Sequence, residues 1–270
     1  MWGIMKIHKT IGIIGLGNMG SAVAKSLGHT TSLLSFDIDK KKCEKIKKLG
    51  VRITKNNCEL VRRSNIVILA IKPQEMNLVL NEIKNFLNRD KLMISIAAGI
   101  STGYIEKIVG KNRIIRVMPN IAILVKESAS AICRGKYALE KDEKIAFKIF
   151  SIMGNVLKVP EKFMDAVTAL SGSGPAYFFE IIDLFTKAGM KSGFSLEQAR
   201  ELVFQTARGA LSMLEQINND PAVLRDMVTS RKGTTIEGLK VFKENHLREI
   251  LTKAVFAARK RAKELAKQLV

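Results

Sequence analysis

The stretch from residue 9 to residue 28 limits the fold more than any other. Lys9-Thr10-Ile11-Gly12-Ile13-Ile14-Gly15 is a nearly continuous apolar run, the pattern of a strand buried on both faces. It leads directly into Gly15-Leu16-Gly17-Asn18-Met19-Gly20, and helical spacing follows from about Met19 to Gly28. Gly15 permits a tight turn, Gly17 lets another group approach the backbone, and Gly20 allows the helix to pack closely on the strand. A strand without a polar face needs cover on both sides, so the chain must open with a βα unit of a layered α/β fold.

The alternation continues. Ser32 to Asp37 reads as a second strand and Lys41 to Leu49 as a second helix. Ile66 to Ile71, Leu92 to Ala97 and Arg113 to Val117 are further strands, followed by Ala129 to Cys133 and Val156 to Val159. This spacing predicts an N-terminal Rossmann-like doubly wound parallel sheet with right-handed crossovers over residues 1–160. After Pro160 helical spacing takes over, which predicts an all-helical dimerisation domain over residues 161–270. Pro175 suits the first turn of a helix to about Met190. Ser195 with Gln198 forms a capping box for a helix to about Ile217, and Asp220-Pro221 opens a short helix. Thr235 to Lys243 and Leu247 to Leu269 complete the set. So many apolar helix faces in this span are hard to bury within one chain, which points to a second copy as partner.

A GxGxxG motif alone is a weak signal, but here a strand precedes it, a helix follows it, and Asp37 ends the next strand. The helix start carries free amides and a positive dipole end, which suit a pyrophosphate. Gly15, Gly17, Asn18, Met19 and Gly20 are therefore expected to cradle a dinucleotide, and Asp37 to accept from its adenosine ribose. A carboxylate there repels a 2′-phosphate and leans the expectation towards NADH. Lys40, Lys41 and Lys42 lie close enough to offset it, so NADPH stays open.

Charge and cysteine content narrow the classes. Among 270 residues, Lys+Arg number 45 against 25 Asp+Glu, a net charge of +20. Residues 1–160 hold 28 basic and 12 acidic side chains, mostly lysines scattered through helical patterns and not interleaved with aromatics. That argues against a single-strand nucleic-acid binder. The longest apolar run, Ile66 to Ile71, is far shorter than the roughly 20 residues of a membrane helix. Cys43, Cys58 and Cys133 are odd in number, widely spaced and far from the histidines, so neither a disulfide framework nor a metal site is expected. With no secretory pattern at Met1 to Lys6, a cytoplasmic location is expected.

Five stretches occur in order beyond the glycine motif: Ala70-Ile71-Lys72-Pro73-Gln74, Ser95-Ile96-Ala97-Ala98-Gly99, Arg116-Val117-Met118-Pro119-Asn120, the run from Asp165 through Ser171-Gly172-Ser173-Gly174-Pro175 to Tyr177, and Val228 to Leu239. Together they resemble the pyrroline-5-carboxylate reductase family over nearly the whole chain. The resemblance implies NAD(P)H-dependent reduction of the cyclic imine L-1-pyrroline-5-carboxylate to L-proline, the last step of proline biosynthesis. It also implies a homodimer that can assemble into a ring. By that resemblance Asn57 lies near the cofactor's adenosine part, Ala70, Lys72 and Pro73 border the cofactor, and Ala97 and Gly99 follow its nicotinamide half. Ser230, Gly233 and Thr234 match the loop that holds the substrate carboxylate, and Thr235 matches the threonine facing the ring nitrogen. Taken alone, Thr235 also reads as a helix N-cap.

Two departures stand out. Arg231-Lys232-Gly233 replaces the family's usual Pro-Gly-Gly, and Asn120-Ile121-Ala122 its usual Asn-Thr-Pro. A β-hydroxyacid dehydrogenase is the rival enzyme, since it shares the GLGxMG start. Its GxGxxxK helix, however, would place the catalytic lysine at Phe178. A non-catalytic regulatory paralogue that keeps the fold is the third reading.

Overall fold

The computed structural model describes residues 9–28, 31–217 and 220–268, with side chains to residue 265. Two compact units divide the chain: Met1–Ser173 with Ala257–Val270, and Gly174–Phe256. In the first unit, β1 (Ile11–Ile14), β2 (Leu33–Phe36), β3 (Arg52–Ile53), β4 (Ile66–Leu69), β5 (Leu92–Ser95), β6 (Arg113–Met118), β7 (Ser128–Arg134) and β8 (Gly154–Lys158) form one sheet, ordered β3-β2-β1-β4-β5-β6-β7-β8. Strand order reverses at β1, between β2 and β4, which opens a crevice at the carboxyl ends of β1 and β4.

The alternation of side chains explains why helices must cover both faces. Ile11, Ile13, Ile66, Ile68 and Ile94 join one apolar cluster with Val23 and Leu27 of α1 (Asn18–Leu27) and Phe150 of α6 (Glu140–Ser151). Ile14, Val67, Leu69 and Met93 join another with Leu60 of α3 (Asn57–Arg63), Leu80 of α4 (Met76–Ile83) and Ile105 of α5 (Thr102–Val109). Successive residues of each strand feed opposite faces, so a one-residue slip would exchange the two cores. The short helix α2 (Lys40–Lys47) starts at a cap in which Asp39 accepts from the Lys41 amide.

The parallel expectation fails at one pairing: β7 runs antiparallel to β6, and β8 then runs parallel to β7. Only residues 119–127 join β6 to β7, and a parallel crossover needs about a dozen or more. The chain makes a single 3₁₀ stretch, Ile121–Val125, and turns back. The two-residue strand β3, unassigned from the sequence, extends the edge beside β2.

After β8, Glu161 reaches back to the start of α5. It accepts from the Thr102 amide and from the Thr102 hydroxyl, both at 2.7 Å, and pairs with Arg116 at 3.4 Å. Arg116 is 4% exposed, so Glu161 compensates a charge held inside the unit. Helical structure resumes with a 3₁₀ turn at Glu161–Phe163, α7 (Met164–Val167) and a π-turn at Thr168–Gly172.

The second unit holds α8 (Gly174–Lys191), α9 (Leu196–Ile217), α10 (Pro221–Met227), α11 (Thr234–Glu244) and the first part of α12 (Leu247–Gln268). Leu269, the expected end of the last helix, lies outside the described residues. The expected caps form: the Ser195 amide donates to Gln198 at 3.0 Å, the Gln198 amide donates to the Ser195 hydroxyl at 3.2 Å, and Asp220 accepts from the Ala222 amide at 2.7 Å. Gly193, at φ +99°, ends α8 in the left-handed region, and the Phe194 amide donates back to the Gly189 carbonyl.

One buried ion pair gives a stability test. Asp142 has no exposed side-chain surface, pairs with Arg113 at 2.8 Å, and accepts from the Leu139 amide at 2.9 Å. Asp142→Ala strands the guanidinium, and urea unfolding is expected to show a loss of about 3 kcal/mol.

Candidate active site

The three glycines of the first loop do three different things. Gly15 has φ +92°, and a side chain there would meet the Ala70 carbonyl oxygen at 2.6 Å. A Cβ on Gly20 would lie 2.0 Å from the Gly15 carbonyl oxygen, so α1 touches the loop with no space left between them. A Cβ on Gly17 would meet nothing within 4 Å. This openness is what a bound pyrophosphate requires of the residue capping α1. Asn18 is exposed at the helix start, and Met19 packs against the core. A cleft of about 510 Å³ beside the loop is lined by Gly17, Asn18, Lys25, Lys42, Lys45 and Ile121, among others, which adds positive charge next to these amides.

Asp37 stands at the end of β2, as expected, but its carboxylate turns towards the protein. Oδ2 accepts from the Leu16 amide at 2.6 Å and Oδ1 from the Asp39 amide at 2.8 Å. Lys42 approaches Oδ2 at 3.8 Å, and the side chain is 9% exposed. The next residue, Ile38, is 85% exposed, an apolar surface at the strand end that suits a flat ring. No polar group marks Ile38 in the sequence. Its signal was an aliphatic side chain just after a strand-ending acid.

Asn57 begins α3. Its Nδ2 donates to Glu82 at 2.8 Å, while its buried Oδ1 has no partner among the described residues. An open acceptor there fits a ligand's hydroxyl or amine. Across the crevice, the Ala70 amide extends the β1–β4 ladder by donating to the Ile14 carbonyl at 2.8 Å. Lys72 is exposed and caps the turn that begins at Pro73. Ala97 is buried after β5, and Gly99, at φ +75°, turns the chain into Ser101, which caps α5. All twelve residues expected at the cofactor thus belong to the first unit, at loops and helix starts following β1, β2, β3, β4 and β5. The geometry fits a dinucleotide, since the approach to the first amides of α1 is open and Asn57 offers an acceptor without a partner among the described residues.

Ser230, Gly233, Thr234 and Thr235 belong to the second unit, the first two in the turn ahead of α11 and the last two opening the helix. Gly233 is the cap residue, with no side chain closing the helix end, and its amide donates to the Ser230 carbonyl at 3.1 Å. A Cβ on Gly233 would sit 2.3 Å from the Ser230 hydroxyl. Thr235 is the second residue of α11 and not its cap. Its hydroxyl is exposed and has no hydrogen-bond partner among the described residues. Arg231 and Lys232 are exposed beside it.

The cysteines offer no nucleophile. Burial pushes the Cys133 thiol up to about 12, and burial also raises Cys43 and Cys58. Among the described residues no three His, Cys, Asp or Glu side chains gather as metal ligands, and no helix is long and apolar enough to cross a membrane.

Two substitutions separate the roles of the loop glycines. Gly17→Ala should leave the melting temperature within about 2 °C of the wild type while weakening dinucleotide binding, because the methyl enters only the open approach. Gly20→Ala should lower the melting temperature itself, since its methyl has no room. Calorimetry and a cofactor-fluorescence titration on both variants check the contrast.

Two family models match the chain. One, pyrroline-5-carboxylate reductase dimerisation, covers residues 161–265, and the other, NADP oxidoreductase coenzyme F420-dependent, covers residues 10–99. The pyrroline-5-carboxylate reductase of Methanosarcina acetivorans is 41% identical over 268 residues, covering 97% of this chain and 99% of that protein. The crystal structure of Plasmodium falciparum pyrroline carboxylate reductase with NADP bound superposes with a TM-score of 0.89 at 33% identity, covering 97% of this chain and 99% of the other. A reductase structure from Coxiella burnetii gives 0.87 at 33% identity, covering 96% and 99%. The chain belongs to the pyrroline-5-carboxylate reductase family.

Proposed function

We propose that this chain reduces L-1-pyrroline-5-carboxylate to L-proline with NAD(P)H, as the last step of proline biosynthesis. The observation that carries the reading is that one chain holds both required parts. The first unit has an open glycine cradle, and the second has an uncapped helix start flanked by Ser230 and Thr235. The bound dinucleotide supplies the hydride. The rest of the chemistry is holding the imine and placing a proton on its nitrogen. A protonated imine is already a good electrophile near neutral pH, so positioning can carry most of the rate.

In this reading the Ser230 hydroxyl and the Thr234 amide donate to the substrate carboxylate, aided by the dipole of α11, while Gly233, whose own amide holds the turn through the Ser230 carbonyl, keeps the approach free of a side chain. The unengaged Thr235 hydroxyl faces the ring nitrogen and holds or passes its proton. Cofactor contacts fall to Gly15, Gly17, Asn18, Met19, Gly20, Asn57, Ala70, Lys72, Pro73, Ala97 and Gly99. A hydroxyacid oxidation is disfavoured because Phe178, where that chemistry needs a lysine, offers no base. Phe178 and Phe179 are each 64% exposed on α8, and Leu184, Phe185, Leu202 and Leu211 are also exposed. An apolar face of this extent is suited to a second copy of the chain, so the working form is a homodimer.

Four outcomes test these assignments. The imine should be turned over with NADH or NADPH, and no panel of hydroxyacids should be oxidised in reverse. Thr235→Val should lower kcat roughly ten- to a hundredfold with little change in the imine KM, whereas Thr235→Ser keeps most of the rate. Sedimentation at micromolar concentration should give twice the 30.0 kDa chain mass or a larger whole multiple, and a monomer would refute the dimer. The two exposed cations add long-range attraction for the anionic substrate. Replacing Arg231 and Lys232 with Pro and Gly should therefore raise the imine KM and flatten its dependence on salt.

A further inference from the structure

We propose that Asp37 is a positioning residue that braces the glycine loop equally for NADH and NADPH, and is not the residue that selects between them. The proposal rests on the dinucleotide site described above. Leu16 is 1% exposed, and its amide sits between two glycines in a loop whose first residue is at φ +92°. A buried amide needs an acceptor, and among the described residues the only one here is Oδ2 of Asp37, 21 positions along the chain at 2.6 Å. The other oxygen takes the Asp39 amide at 2.8 Å, and Asp39 in turn caps α2 through the Lys41 amide. One carboxylate therefore fixes the cradle and the start of the second helix at the same time. Lys42, 3.8 Å from Oδ2, offsets its charge.

A carboxylate that reads a ribose must present its oxygens outwards to a pair of hydroxyls. This one is 9% exposed and directs both oxygens to backbone donors. The free energy of those two bonds goes into the shape of the loop, and both dinucleotides need the same shape around their pyrophosphate. Disturbing the brace should then weaken both cofactors together.

The test is direct binding of NADH and of NADPH, followed by cofactor fluorescence without substrate, on the wild type, Asp37→Asn and Asp37→Glu. Asn can accept from only one of the two amides. Glu keeps the charge at the strand end but moves its oxygens off the Leu16 amide. In both variants both dissociation constants should rise by the same factor, roughly tenfold, with their ratio within about twofold of the wild type. The Leu16 amide proton resonance should shift in both variants without cofactor, which reports the lost bond separately from overall folding. The proposal is overturned if Asp37→Asn tightens NADPH while weakening NADH, or if Asp37→Glu keeps the wild-type NADH affinity, since a ribose-reading acid tolerates either carboxylate. It is also overturned if neither constant moves. None of these outcomes depends on imine turnover, so a wild type that binds cofactor but leaves the imine unreduced would sink the proposed reaction alone.

Discussion

The contact between Gly20 and the carbonyl of Gly15 is the constraint on which the first unit depends. Because no side chain separates them, α1 lies directly on the turn leaving β1. That closeness brings the first amides of the helix to the rim of the crevice between β1 and β4. It also seats Val23 and Leu27 in the apolar layer shared by Ile11, Ile13 and Ile66. Cofactor cradle and core packing are thus two results of one missing methyl group. Any side chain at Gly20 would push the helix outwards and disturb both.

The rest of the crevice is built from chain ends that have little else in common. The turn after β4 supplies Ala70, which touches Gly15 and continues the ladder through Ile14. The turn after β5 supplies Gly99 and then Ser101, the cap of α5. Each strand delivers a short piece of backbone to the same edge of the sheet, because parallel neighbours all end on one side. The reversed pair β7 and β8 does not follow this rule, and the β7 edge begins beyond the level where β6 stops: Met118 pairs with Ala131, the fourth residue of β7.

Much of this was legible in the sequence because it depends on local pattern. The apolar run at Ile11 to Ile14, the glycine spacing, the capping box at Ser195 and the proline after Asp220 each act within a few residues of themselves. What was not legible depended on partners far along the chain. Nothing about Asp37 as a residue type says that its acceptor oxygens meet the backbone amides of Leu16 and Asp39. The turn between β6 and β7 was hidden for another reason: its Ile121–Val125 segment is as apolar as a strand, and only its brevity rules out a crossover. In the second unit, Thr235 as a residue type suits a cap, yet Gly233 holds the cap position and brings no side chain to the start of α11.

Glu161 ties the exit from the sheet to the first residue of α5, Thr102, and holds the enclosed guanidinium of Arg116. Among the described residues, Nε and Nη2 of Arg116 have no hydrogen-bond partner, so its charge leans on that single carboxylate. Loss of Glu161 leaves the enclosed guanidinium with no counterpart, a worse state than losing both, whereas Glu161, 31% exposed and still held by Thr102, is less harmed by loss of Arg116. In evolutionary terms the dependence runs one way: a lineage that exchanges the pair for apolar residues crosses the shallower path by changing Arg116 first, because Glu161 alone stays partly solvated while Arg116 alone does not.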